Sequence, residues 1–128
     1  MFVKNLNACD EFTANDGCLI REILHPQNDP VDLDWSLAMA RVLIGKRTLP
    51  HKLIQAEVYY ILSGQGRMYI NNESRAVGTG DVISIPPQSV QWIKNTGNDE
   101  LRFIAIVSPP WRELDDQLCE SDPNFQNG

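Results

Sequence analysis

A chain of 128 residues, 42% of them hydrophobic, carries enough apolar material for one buried core and too little for two ordinary domains, so residues 1–128 are expected to form a single domain. Seventeen acidic against eleven basic residues give a formal net charge of -6, which excludes nucleic-acid or membrane binding through a broad basic face. Cys9, Cys18 and Cys119 are odd in number, far apart and outside any CxxC spacing, so reduced thiols in a cytoplasm are expected rather than a disulfide framework or a zinc knuckle. The N-terminus has no extended apolar stretch behind a basic start, and no run approaches the length of a membrane span. A soluble, unprocessed protein is the expectation.

In chain order, short runs rich in β-branched, aromatic and leucine residues predict strands over 18–24, 37–44, 57–63, 67–70, 82–85, 90–94 and 101–107. His25 falls in Leu-His-Pro-Gln-Asn-Asp-Pro, a two-proline turn where an exposed histidine is expected. Turn residues separate the later runs: Ser63-Gly-Gln-Gly66, Asn71-Asn72, Gly78-Thr-Gly-Asp81, Pro86-Pro87 and Thr96-Gly-Asn-Asp99. Turn signals at this spacing point to a sandwich or small barrel, because a βαβ fold would place helical patterns between strands. Only Trp111–Leu118, after the double proline, has a helical pattern. The predicted class is all-β, with its core over about 18–108, a short C-terminal helix and a polar tail over about 120–128.

Two stretches carry a more specific pattern. Gly45, His51, Leu53, Glu57 and Gly64 resemble the first motif of the cupin superfamily, G-x5-H-x-H-x3,4-E-x6-G, with leucine in the second histidine place. Gly80-Asp-Val-Ile-Ser-Ile-Pro86-Pro-Gln88-Ser-Val-Gln91-Trp-Ile-Lys-Asn95 is similar to the second motif, G-x5-P-x-G-x2-H-x3-N, with Gln88 in the glycine place and Gln91 in the histidine place. The resemblance implies a double-stranded β-helix, a jelly-roll barrel with one open mouth, and a homodimer.

In metal-binding members of that superfamily the motif histidines and glutamate converge on one divalent ion. Carried over residue by residue, the implied metal site here is His51, Glu57 and Gln91, around zinc, nickel, manganese or iron. The i, i+2 spacing places residues 51 and 53 on one strand face, so the resemblance turns Leu53 inward as an apolar wall. Two readings compete for the pair His51 and Glu57: a weakly held, partly hydrated ion, or a vestigial pair joined by a hydrogen bond or exposed at the mouth. With Glu57 inward, alternation sends Tyr59 inward and Tyr60 outward, and Met68 and Ile70 share an interior-facing side. Leu53, Tyr59, Met68 and Gln91 are the candidate substrate-binding residues, although core packing is the first expectation for Tyr59 and Met68. Gln55 reads as a solvated loop amide, Arg41 as a surface charge, and Trp92 and Trp111 as packing residues of core or dimer.

Two functions follow, and the sequence does not decide whether the protein is an enzyme. In one, Glu57 is the catalytic proton carrier of an isomerase, lyase or decarboxylase acting beside a metal on a small polar acid or sugar. In the other, the barrel is a metal-free module that binds or senses a small-molecule ligand without transforming it. Neither involves nucleic acid or membrane.

Overall fold

Residues that alternate between apolar and polar along the chain form two antiparallel sheets with a shared interior in the computed structural model, which describes residues 1–119. The strands are β1 (Glu11–Thr13), β2 (Leu19–Leu24), β3 (Ser36–Val42), β4 (His51–Leu53), β5 (Ala56–Ser63) and β6 (Gln65–Ile70) in the first half. They continue as β7 (Glu73–Gly78), β8 (Val82–Ile85), β9 (Val90–Asn95), β10 (Leu101–Ser108) and β11 (Asp116–Leu118). One sheet is six-stranded in the order β1-β2-β3-β10-β5-β8, and the other is five-stranded in the order β11-β4-β9-β6-β7. Neighbours far apart in sequence, such as β3 with β10 and β4 with β9, give the jelly-roll arrangement expected of a double-stranded β-helix.

Strand β10 makes the alternation plain: Leu101, Phe103, Ala105 and Val107 are buried, while Arg102, Ile106 and Ser108 face solvent. Leu101, Phe103 and Ala105 meet Ala40 and Val42 of β3, Tyr59 and Ile61 of β5, and Met68 and Ile93 of the opposite sheet in one core cluster. On the outer face Arg41 of β3 donates to both oxygens of Glu11 and to Glu100, each at 2.7 Å, tying β1 and the turn before β10 to the sheet. Among the described residues no helix is long and apolar enough to cross a membrane.

The expected C-terminal helix over Trp111–Leu118 does not form. A single 3-10 turn at Glu113–Asp115 leads into β11, which pairs with β4 in the register Asp116↔Leu53, Gln117↔Lys52 and Leu118↔His51. Leu114 and Leu118, at i and i+4 in that segment, are both exposed, so there is no apolar face to hold a helix down. Pairing instead satisfies the open backbone edge of β4. The polar tail lies outside the described residues.

The second motif's glycine place has a backbone reason that this chain meets without glycine. Gln88 has φ +67°, in the left-handed region, and its N–H donates to Leu53 O at 2.8 Å, so the turn cannot relax without losing a contact with β4. Gln88→Gly should therefore raise stability by about 0.5–1 kcal/mol, the relief of the left-handed strain less the entropy that glycine adds to the unfolded chain. A urea midpoint that fails to rise at unchanged m-value would show that the turn stores no such strain.

Candidate functional site

The first-motif residues reach the space between the sheets by simple alternation. On β4 the pattern buried-exposed-buried turns His51 and Leu53 inward, 4% and 2% exposed, with Lys52 outward. On β5 the same pleat buries Glu57, Tyr59 and Ile61, while Tyr60 is exposed on the other face. Gln91 on β9 stands opposite His51 as its Cα partner and is 1% exposed. The two sheets thus bring His51 and Gln91 from one side against Glu57 and Tyr59 from the other.

The polar contacts among them are directional. Tyr59 donates its hydroxyl to Gln91 Oε1 at 3.2 Å, which leaves the Gln91 amide N–H₂ as the group that hydrogen-bonds Glu57. The Tyr59 ring lies against Phe103 with centroids 4.3 Å apart, fixing its direction. His51 Nδ1 is 3.0 Å from Leu49 O, a pure acceptor, so Nδ1 carries the proton and a neutral His51 keeps its Nε2 lone pair free. Glu57 Oε1 is buried and has no hydrogen-bond partner.

Two carboxylates that the motifs do not contain join this site. Asp16 sits in the turn between β1 and β2, where its Oδ1 accepts the Cys18 N–H at 3.0 Å and Gly17 takes φ +87°. Its backbone oxygen accepts the Leu49 N–H at 2.7 Å, which ties that turn to the segment before β4, and its Oδ2 is 3.5 Å from His51 Nδ1. Asp116 arrives on β11 opposite Leu53 and accepts the Trp111 indole N–H at 3.2 Å. Asp16, His51, Leu53, Glu57, Tyr59 and Asp116 line one cavity of about 70 Å³, room for a few waters or a very small organic group.

Burial dominates the electrostatics. It pushes the Glu57 carboxyl up to about 7; His51 and the Gln91 hydrogen bond pull the other way, and Asp116 and Asp16 reinforce the rise. Burial also raises the Asp16 carboxyl, against the attraction of His51. The Tyr59 hydroxyl and the Cys18 thiol are held well above their ordinary values by burial first and by the neighbouring carboxylates second. Both therefore stay protonated near neutrality, and Glu57 is the cavity group poised to exchange a proton there.

The other expected positions are distributed differently. Met68 is buried in the core and, with Ile70 and Ile83, backs a separate cleft between β7 and β8 rather than the cavity around Glu57. His25 is buried, not exposed: its Nδ1 accepts the Gln27 N–H at 3.1 Å, so its Nε2–H donates to Trp111 O at 2.8 Å. Gln55 is not a solvated loop amide either, since it is buried and donates to Asp115 Oδ2 at 2.6 Å. Trp92 stacks on Tyr69, whereas Trp111 lines the cavity. Asp16 was readable only as a turn, from Asn15-Asp16-Gly17, and Asp116 carried no signal at all.

The fold and the inward motif residues define a β-barrel of the cupin type, and the chain belongs to that family: the cupin domain model matches residues 39–107. An uncharacterized protein of Methanocaldococcus jannaschii is 41% identical over 110 residues, covering 85% of this chain and 87% of the relative. An oxalate-binding protein of Thermotoga maritima is 37% identical over 51 residues, covering 40% of this chain and 42% of the relative. Among solved structures, a predicted oxalate decarboxylase of Thermotoga maritima has a TM-score of 0.71 at 23% identity, covering 84% of this chain and 99% of that one. The Streptomyces nucleoside dehydratase Pac13 has a TM-score of 0.71 at 18% identity, covering 93% of this chain and 91% of that one. At these identities the two structures establish the shared fold.

The divalent ion implied by the family does not fit the donor set here. Leu53 offers no lone pair, and the Gln91 oxygen is a neutral amide donor, weaker than the imidazole it replaces, that already accepts the Tyr59 hydroxyl. That leaves His51 and Glu57 from the motif places. Among the described residues no group of three or more His, Cys, Asp and Glu is arranged to hold a metal ion.

Proposed function

We propose that this barrel binds a small polar molecule in the cavity around Glu57 and moves a proton on it without a protein-held metal, as an isomerase or lyase does. The observation that carries the reading is Glu57 Oε1, buried and without a partner on a side chain that lines the cavity, because an orphaned carboxyl oxygen costs free energy unless a ligand supplies the missing donor. A carboxyl held at about 7 is available in both protonation states near neutrality, which suits a group that takes a proton in one step and returns it in the next. The His51 Nε2 lone pair offers a second proton acceptor in the same lining, and Leu53 and Phe103 keep the space partly apolar. Oxalate and uridine, named for proteins of similar fold, support the reading that the ligand is a small polar molecule.

Screening small carboxylates, sugars, nucleosides and amines by ligand-observed NMR in D₂O would test this. The expected result is at least one bound compound that gains solvent deuterium, with the exchange slowed at least about a hundredfold by Glu57→Gln. Exchange that survives Glu57→Gln would remove Glu57 from the chemistry. Binding that depends on Glu57, with no exchange in any ligand, would support a binding or sensor module instead.

A further inference from the structure

The charge balance of the cavity singles out its ligand, an inference that rests on the reading of Glu57 as the ligand-facing group. Four carboxylates, Asp16, Glu22, Glu57 and Asp116, line the space, and His51 is the only basic side chain among the described lining residues; neither lysine nor arginine contributes. Even with His51 charged and Glu57 neutral, the lining stays negative. A carboxylate ligand would meet repulsion at short range in a partly desolvated space.

The existing partners do not cancel that charge. Asp16 accepts a backbone N–H, Asp116 the Trp111 indole N–H and Glu22 the Asn28 amide, all neutral donors; His51 Nδ1, 3.5 Å from Asp16 Oδ2, offsets at most one of the four charges. Glu57 Oε1, more than nine-tenths buried, has no donor at all. What the cavity lacks is a positive charge that brings several N–H groups with it. A bare divalent ion needs three or more fixed ligands, which the described residues do not assemble. An ammonium group needs only acceptors within reach, and it gains further from the face of an aromatic ring such as that of Trp111, which lines the same space.

We propose that the cavity is a site for a small organic cation, a primary amine whose ammonium group donates to Glu57 Oε1 and lies among Asp16, Asp116 and the Trp111 ring. A volume of about 70 Å³ limits the buried part to the ammonium and a carbon or two, with any longer tail leaving past Phe12, which is 43% exposed at the rim.

Calorimetric titration with ethanolamine, oxalate and glycerol, on the wild type, Glu57→Gln and Asp16→Asn, tests the assignment at fixed ionic strength. Saturable ethanolamine binding, weakened at least about tenfold in each variant, with no binding of oxalate or glycerol, is the expected result. Oxalate or glycerol binding as tightly as ethanolamine would overturn the amine assignment. If that binding is lost in Glu57→Gln, the cavity remains the ligand site and only the ligand class falls. Ethanolamine that fails to bind also overturns the assignment, and ethanolamine that binds all three proteins equally overturns both the assignment and the reading of Glu57.

Discussion

As pH rises from 4.5 to about 7, the folded protein loses about 3 kcal/mol of stability through Glu57, and Glu57→Gln removes that part of the loss. The carboxyl has its ordinary value of 4.5 in the unfolded chain and about 7 in the fold, so between these limits the native state binds the proton more tightly. The stabilising effect of the neutral carboxyl is therefore complete below pH 4.5, fades as pH climbs through the folded value, and is gone above it. Asp16, raised by the same burial, adds to the slope in the same direction. Glu11 and Asp29 are lowered by hydrogen bonds from Arg41 and from the His25 N–H respectively, so their contributions are lost only as pH falls below the carboxylate range. Glu57 faces His51, Asp116, Asp16 and Gln91, and the difference between wild type and Glu57→Gln isolates its own share from theirs. Urea denaturation of the two proteins at half-unit steps from pH 4.5 to 8 measures it. Parallel stability curves would mean that Glu57 reaches water and that burial does not hold its carboxyl near 7.

The same burial explains why part of this site was legible in the sequence and part was not. Motif spacing and the two-residue pleat are local properties, so they turned Leu53 and Tyr59 inward correctly and located the turns from Gly45 to Asn95. Asn95 illustrates the local logic: its side chain bonds Asp99 O and the Gly97 N–H, closing the turn before β10. The acidic residues came from elsewhere. Asp16 enters from a turn between β1 and β2, and Asp116 from a segment whose helical pattern gave way to pairing with the edge of β4. Neither contact is encoded within a window of neighbouring residues. The burial of His25 is of the same kind, because the carbonyl that accepts its Nε2–H belongs to Trp111, 86 residues away. Nonlocal pairing decided each of these.

Leu53→His should convert the cavity into a metal site, tightening zinc or nickel at least about tenfold over the wild type, or about 1.4 kcal/mol. Leu53 is 2% exposed and lines the same cavity as His51 and Glu57, and a strand pleat keeps residues 51 and 53 on one face. An imidazole at 53 would be the third donor beside His51 and Glu57, and three protein ligands with a water are enough for zinc. The change has a cost, since a buried apolar side chain is replaced by one with two polar nitrogens, and the variant should be less stable without metal by about 1–3 kcal/mol. Added metal should recover part of that loss by binding only the folded state, so the shift in melting temperature with zinc is a second readout. Competition against a chromophoric chelator gives the affinity directly. A folded variant with unchanged affinity would show that the side chains at 51, 53 and 57 do not converge on one point, and that the leucine did not replace a ligand in any geometric sense. A tenfold gain would show that this barrel keeps the geometry of a metal centre, with its donors held one residue short of closing it.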